Sequence, residues 1–188
     1  AATSDDAALA AATAASGLPL EAVSVRAYSP GAASTLWTGN IVGIGEAAAV
    51  LDPVHGLALH ALQLGIVHLI SHFPAEGESH AARRAEYHRA MRSHLARIAD
   101  FQTAHLALQR YAGPFWDAAR GLPVSEELAH LIDFFRARGE LAPFEDESLP
   151  PDSWRALLLG HGVAPAGWRP TIDRVPPDEV KAHFRRTI

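Results

Sequence analysis

The sequence predicts a mainly helical α+β chain with one small β-hairpin near its N-terminus. Three observations carry that reading. From residue 57 onward, apolar side chains recur at helical spacings of three and four. Two earlier segments, Leu20–Tyr28 and Leu36–Ile44, carry the alternation and β-branched or aromatic content of strands. Between them lies Ser29-Pro30-Gly31, a turn signal that makes the two a hairpin.

The elements follow in order. Ser4 caps a helix through Ser16, with Asp5 and Asp6 in its first turn and Gly17 as its stop. Val23, Val25 and Ala27 alternate with Ser24 and Arg26, and Leu36–Ile44 is the return strand. A lone hairpin is marginal in water, so it is expected to find its sheet partners elsewhere. Leu57–Phe73 is apolar on most sides and reads as a central helix. Glu78–Arg110 is a long amphipathic helix, broken at most once, with Tyr87, Met91, Leu95, Ile98 and Phe101 on its apolar stripe. Shorter helices are expected over Phe115–Ala119, Glu126–Arg138 (stopped by Gly139), Ser153–Leu159 and Asp178–Arg186. Glu140–Pro151 is an acidic, Pro-rich loop.

Composition narrows the function classes. The chain has 188 residues, 48% of them hydrophobic, enough for a compact core and too apolar for disorder. A net charge of −5 argues against nucleic acid as a partner. Cysteine is absent, which removes disulfides and thiolate metal sites and suits a cytoplasmic protein. The longest apolar run, Leu57–Ile70, is interrupted by His60, Gln63 and His68 and falls short of the roughly 20 residues a membrane span needs. His68 and His72 share a helix face among 11 histidines, yet no His-Glu-x-x-His pattern accompanies them, so no metal site is expected. Arg83, Arg84, Arg89, Arg92 and Arg97 give one basic helix face without interleaved aromatics, which reads as solvated surface.

The segment Trp37–Gly56 carries the most chemistry. A strand ends at Gly43-Ile44-Gly45, and Glu46-Ala47-Ala48-Ala49 opens a short helix that Asp52-Pro53 breaks. Glycines at Gly43 and Gly45 clear side chains from the backbone, and helix-start amides favour a polar or anionic group. That order resembles the flavin-contacting segment of FAD-dependent aromatic hydroxylases, through Gly45, Glu46, Ala47, Ala48, Pro53 and Gly56. More fully, the chain resembles the C-terminal part of a flavin-dependent tryptophan halogenase. Trp37, Asn40, Ile44, Gly45, Leu51, Asp52 and Pro53 carry that resemblance. It continues through Glu86-Tyr87-His88 with Met91, Asp100-Phe101 with His105, and Pro114-Phe115-Trp116. It extends to Ser153-Trp154, Gly160 with Gly162 and Pro165, and Pro170 with Asp173.

The resemblance implies a larger FAD monooxygenase-like fold. On that reading, residues 1–56 are the hairpin and flavin-contacting turn of a cofactor domain, and residues 57–188 a helical, substrate-side region. FAD is then the cofactor, contacted by Gly43, Gly45, Glu46, Ala47 and Pro53. Halide would be held through the backbone of Leu57 and Ala58. Where the family places an acid near the substrate, this chain has His55, which can serve as a general base near pH 7 or simply bond a nearby acid at a helix start. Trp154 and Arg155 fall where halogenases of free tryptophan carry a substrate-touching aromatic pair, and the arginine departs from that pattern. Trp116 and Trp168 are further candidates for an aromatic pocket, with Trp116 better suited to core packing.

What the chain lacks is equally informative. No Gly-x-Gly-x-x-Gly dinucleotide fingerprint is present, and its one lysine, Lys181, lies far from the family's catalytic lysine position. Since it also begins at Ala1, the chain is expected to be the C-terminal portion of a longer oxidoreductase acting on an electron-rich, indole-type aromatic. The implied partners are the missing FAD-binding half, a flavin reductase and the small aromatic substrate, with self-association as an alternative use of the exposed surface. Two other functions stay open: a non-catalytic binding or regulatory domain degenerate at the halide site, and a flavin hydroxylase without halide chemistry.

Overall fold

The computed structural model describes residues 3–22 and 24–187. They form two compact units, the first reaching His88 and including Ala112–Ala118, the second containing Arg89–Tyr111 and the chain from Ala119 onward. The fold is mainly helical, as the periodicity predicts.

In the first unit, α1 (Asp5–Ser16) is an alanine-rich helix with no buried residue. Its ends explain its bounds: the Ser4 hydroxyl accepts the Ala7 amide at 3.3 Å, and Gly17, at φ 68°, donates its N–H to Thr13 O. Four two-residue strands follow. β1 (Gly31–Ala32) pairs antiparallel with β4 (Ala49–Val50), and β2 (Trp37–Thr38) pairs antiparallel with β3 (Ile41–Val42).

The hairpin therefore exists, but not between the segments the sequence suggested. It folds inside the expected return strand, where Gly39 takes φ 59° at the first central position of a two-residue loop. The Trp37 indole N–H fastens that loop by donating to Gly39 O at 3.1 Å. The described residues of Leu20–Tyr28 carry no strand, and Val23 lies outside the described residues. Alternation specifies which face a strand would bury; it does not supply the neighbouring strand that must pair with it.

Beyond β4, a 3₁₀ turn spans Pro53–His55, and α2 runs Ala58–Ser71. α2 is not enclosed on most sides. Its buried residues are Ala61 and Gly65, while Leu59, Ile66, Val67, Ile70 and Phe73 stay exposed along the helix and just past its end. Small residues face the unit because the backbones approach closely there. A Cβ at Gly65 would lie 3.3 Å from Ile44 Cγ2.

The long helix α3 (His80–Ala107) is unbroken. Its first turns belong to the first unit, where Tyr87 is fully buried and meets Trp37 edge-on at 5.5 Å. α4 (Pro114–Arg120) follows, with Phe115 edge-on to Trp116 at 4.9 Å.

The second unit is built from the rest of α3, α5 (Glu126–Arg138), α6 (Pro151–Gly160) and α7 (Pro177–Thr187). Its core draws Met91 and Ile98 from α3, Leu128, Leu131 and Phe135 from α5, and Trp154 and Leu158 from α6. One buried polar cluster pins α5. The Ser125 hydroxyl accepts the Leu128 amide at 3.0 Å as N-cap and donates to Asp100 Oδ1 at 2.7 Å. Asp100 Oδ2 lies 2.9 Å from Arg97 Nη2, whose guanidinium sits 4.7 Å over the Phe144 ring. Burial pushes the Asp100 carboxyl above its usual range, partly offset by the Ser125 hydroxyl and Arg97.

Replacing Ser125 with Ala removes the cap and strands one Asp100 oxygen. A loss of about 2 kcal/mol of unfolding free energy is expected. Urea titration with Ser125→Thr as the conservative control reads it; an unchanged midpoint in Ser125→Ala contradicts the role given to this cluster.

Candidate functional site

The glycine segment forms a closed turn in the first unit. The Gly43 N–H donates to Leu36 O at 2.8 Å, and a Cβ on Gly43 would lie 2.9 Å from Ala47 O. No side chain fits there without moving backbone. Gly45, at φ 58°, starts a 3₁₀ turn Gly45–Ala47, and a Cβ on it would meet Leu62 Cδ1 of α2 at 3.2 Å. The Ala47 N–H is spent on Ile44 O and the Ala48 N–H on Gly45 O. The turn's first amides, Gly45 and Glu46, lie outside its intrahelical ladder, so they are the backbone donors with which this turn can meet a ligand. The glycines are thus required by the turn's own packing, Gly43 on the Ala47 backbone and Gly45 on Leu62.

The second turn follows at once. Asp52 Oδ1 accepts the Val54 N–H at 2.9 Å, Pro53 occupies the first helical position, and Gly56 closes the turn at φ 64°. Asp52 thus holds the loop's shape. His55 ends this turn, half-buried, and burial lowers its imidazole below the ordinary range although the Asp52 charge pulls the other way. Leu57 and Ala58 stand at the start of α2, where Leu57 O accepts the Ala61 N–H at 2.9 Å. Their own amides lie in the first turn, which leaves backbone N–H groups available to an anion. Gly43, Gly45, Glu46, Ala47, Pro53, His55, Leu57 and Ala58 therefore share the first unit, in two turns joined by strand β4 and at the start of α2.

Trp154 and Arg155 lie in the second unit. Trp154 is 2% exposed, stands edge-on to Phe101 at 5.0 Å and donates its indole N–H to Glu147 Oε2 at 3.0 Å. Arg155 reaches solvent and pairs with Asp152 at 2.7 Å. Both border a cavity of about 670 Å³ together with Phe144, Glu147, Trp168 and Arg169. Trp168 is half exposed and its indole N–H is held by Asp173 at 2.8 Å. Trp116 belongs to the first unit and does not border this cavity.

Sequence reasoning missed the supports of these residues. Glu147, in a loop read only as acidic, orients the Trp154 indole and also accepts the Leu149 amide at 2.8 Å. His88 faces the backbone of Leu36 and Trp37. Neither contact leaves a periodic signal, because a side chain bonded to a distant backbone amide is a tertiary event. The basic face of α3 is surface-paired at Arg83, on Glu78 at 2.8 Å, and at Arg89, on Asp146 at 3.0 Å, but Arg97, expected on the same solvated face, is buried because Asp100 and the Phe144 ring take its guanidinium into the core. Among the described residues no group of three or more His, Asp or Glu side chains is placed to hold a metal ion, and none of the helices is long and apolar enough to cross a membrane.

The architecture matches that of flavin-dependent halogenases. A flavin-dependent halogenase from Brevundimonas sp. BAL3, BrvH, superposes with a TM-score of 0.84 at 27% identity, over 98% of this chain and 38% of that one. Another from Xanthomonas campestris, Xcc4156, gives a TM-score of 0.81 at 26% identity, over 94% and 36%. Among curated relatives, the tryptophan 6-halogenase SttH of Streptomyces toxytricini is 29% identical over 154 residues, 79% of this chain and 29% of that protein. The tryptophan 7-halogenase RebH of Lentzea aerocolonigenes is 26% identical over 156 residues. The tryptophan halogenase family model matches residues 1–177, and the chain belongs to that family. It spans less than a third of the length of these curated relatives.

A folded-state value below the ordinary 6.5 keeps His55 neutral at pH 7. Its contribution to stability is present above that ordinary value and is lost as pH falls through the lower folded one. In the His55→Gln variant, stability is therefore expected to decline less between about pH 7 and about pH 5. An NMR titration of the His55 ring checks the premise; an inflection at or above the ordinary value refutes it.

Proposed function

We propose that this chain is the C-terminal, substrate-side portion of a flavin-dependent halogenase-like oxidoreductase acting on an electron-rich, indole-type aromatic. The observation that supports this best is the closed Gly43–Ala47 turn. It is pressed against α2 and followed directly by the Asp52–Gly56 turn, in the order expected of a flavin-contacting segment and halide loop. Residues 1–56 are read as the edge of a cofactor domain and residues 57–188 as the helical substrate-side region.

Gly43 and Ala47 give the turn its shape, Gly45 and Glu46 present backbone amides to FAD, and Pro53 stiffens the next turn. When bound, reduced FAD would activate O2, and O2 is the oxidant that turns halide into a halogenating agent. The Leu57 and Ala58 amides hold halide at the start of α2. Trp154 presents a ring edge, and Arg155 a charge, to the aromatic substrate. A separate flavin reductase is the electron source, and the placement is cytoplasmic.

One observation favours a second reading. His55 stands where the family has an acid. A carboxylate stabilises positive charge developing on an aromatic ring; a neutral imidazole does so poorly, and a protonated one opposes it. A domain that keeps the turns and has lost the acid is also what a non-catalytic binding or regulatory relative would look like. Assay of the full-length protein with reduced FAD, halide and tryptophan separates the two. Poor conversion is expected from the unmodified protein and at least about a tenfold gain from His55→Glu. Efficient conversion with His55 in place shows that the acid's role does not carry over; no gain with Glu favours the non-catalytic reading.

The exposed face of α2 bears on the partner. Leu59, Ile66, Ile70 and Phe73 present an apolar stripe, which we read as the seat of the FAD-binding half. Alone, the chain is expected to self-associate or bind an apolar dye, and to hold FAD weakly. Ile70→Glu with Phe73→Glu should abolish both dye binding and self-association without unfolding the chain, as sedimentation and fluorescence will read. A monomer that binds no dye, or submicromolar FAD affinity in the isolated chain, overturns this part of the reading.

A further inference from the structure

We propose that His88 is the positioning residue that seats the Gly43–Ala47 turn. The reasoning starts from a backbone need. β2 has β3 on one side only, and that side satisfies Leu36 O through the Gly43 N–H at 2.8 Å. Trp37 is 8% exposed, so its outward amide cannot rely on water. The imidazole of His88, one residue after the buried Tyr87 on α3, fills that gap. Its Nε2 accepts the Trp37 N–H at 3.2 Å, and its Nδ1 lies 3.5 Å from the Leu36 amide.

The consequence runs along covalent and hydrogen-bonded links within one unit. His88 fixes Trp37, Trp37 packs edge-on against Tyr87, Leu36 O holds Gly43, and Gly43 closes on Ala47. The far side of the same turn is set by α2, where Ile44 meets Gly65. α3 and α2 thus hold the turn from two sides, and on the α3 side His88 bonds the strand backbone. The ring touches no residue assigned to ligand, so it acts through the hairpin and not on a reacting atom. The inference rests on the flavin reading only for the identity of the ligand that the seated turn meets.

Two substitutions test it. His88→Leu keeps bulk and loses the acceptor; His88→Gln offers a carbonyl oxygen in place of Nε2. In amide hydrogen exchange of the 188-residue chain, Trp37 and Gly43 should exchange at least about tenfold faster in the Leu variant. The Gln variant should restore protection to within about threefold, a rescue that a packing role would not produce. Amides of α5 should be unaffected in both, showing that the second unit is folded. With FAD itself added as the probe, the Gly45 and Glu46 amides should shift in the unmodified and Gln chains and not in the Leu chain. Should the Leu variant fail to fold, the unmodified chain still decides. Its His88 ring is expected in a single hydrogen-bonded tautomer, and a ring interconverting between both tautomers overturns the proposal. Unchanged Trp37 and Gly43 exchange in His88→Leu, or failure of Gln to rescue, likewise overturns it. If exchange behaves as expected and FAD shifts no amide in the unmodified chain, the seated turn does not hold FAD by itself and the positioning role stands.

Discussion

The first unit depends on the close approach of α2 to the Gly43–Ala47 turn. A side chain at either of two glycines would press on its neighbour. Ile44 Cγ2 would lie 3.3 Å from a Cβ at Gly65, and Leu62 Cδ1 would lie 3.2 Å from one at Gly45. Glycine in a helix interior costs up to about 1 kcal/mol relative to alanine, and that cost is accepted here because it lets a helix lie directly on a turn. The same geometry explains why α2 buries little else. Its fully buried residues are Ala61 and Gly65, Leu62, Leu64 and Leu69 are half-buried, and Leu59, Ile66, Val67 and Ile70 are left exposed.

The second unit is organised differently, around polar groups taken into the core and satisfied there. Trp154 brings an indole N–H inside and Glu147 meets it; Asp100 brings a carboxylate inside, and Ser125 and Arg97 meet it. Removing one partner from such a pair leaves a stranded buried group, which costs more than the bond itself contributed. The loop from Glu140 to Pro151, irregular by backbone, is thereby tied to the helices through Glu147 and Phe144. This also limits what Trp154 can offer a ligand: its N–H is committed, so any recognition through that residue uses the face or edge of the ring.

The α-helices were legible in the sequence to within a few residues, whereas the short helix expected from Glu46 is a 3₁₀ turn followed by strand β4. Ser4 and Gly17 bound α1, and Ser125 and Gly139 bound α5, because capping is local chemistry written in a few adjacent positions. The strands were legible only by type. Residues 36–44 do form extended backbone, but they fold on themselves at Gly39 because their alternation does not name a partner, and Leu20–Tyr28 remains unpaired among its described residues. Apolarity all round misled for α2, since composition tells how much surface wants covering and not whether this chain supplies the cover. Of the candidate site, the glycines and Asp52-Pro53 were readable because their roles are conformational. Glu147 and His88 were not, because each acts on a residue or backbone group that only the fold brings near.

The placement of His55 shows how far scaffold and chemistry can part. The turn that carries it is held by Asp52 as cap, by Pro53 at the first position and by the left-handed Gly56, none of which consults the His55 side chain. A substitution there changes the charge offered to a neighbour without disturbing the backbone that presents it. Burial then works on whatever group stands at the position. It keeps an imidazole neutral, as here, and the same environment would raise a carboxylate's proton affinity. The amides at the start of α2 and the His55 side chain thus lie close together in sequence, the first fixed by the backbone and the second set only by which residue stands there. What such a loop offers through its backbone and what it offers through a side chain are therefore physically separable.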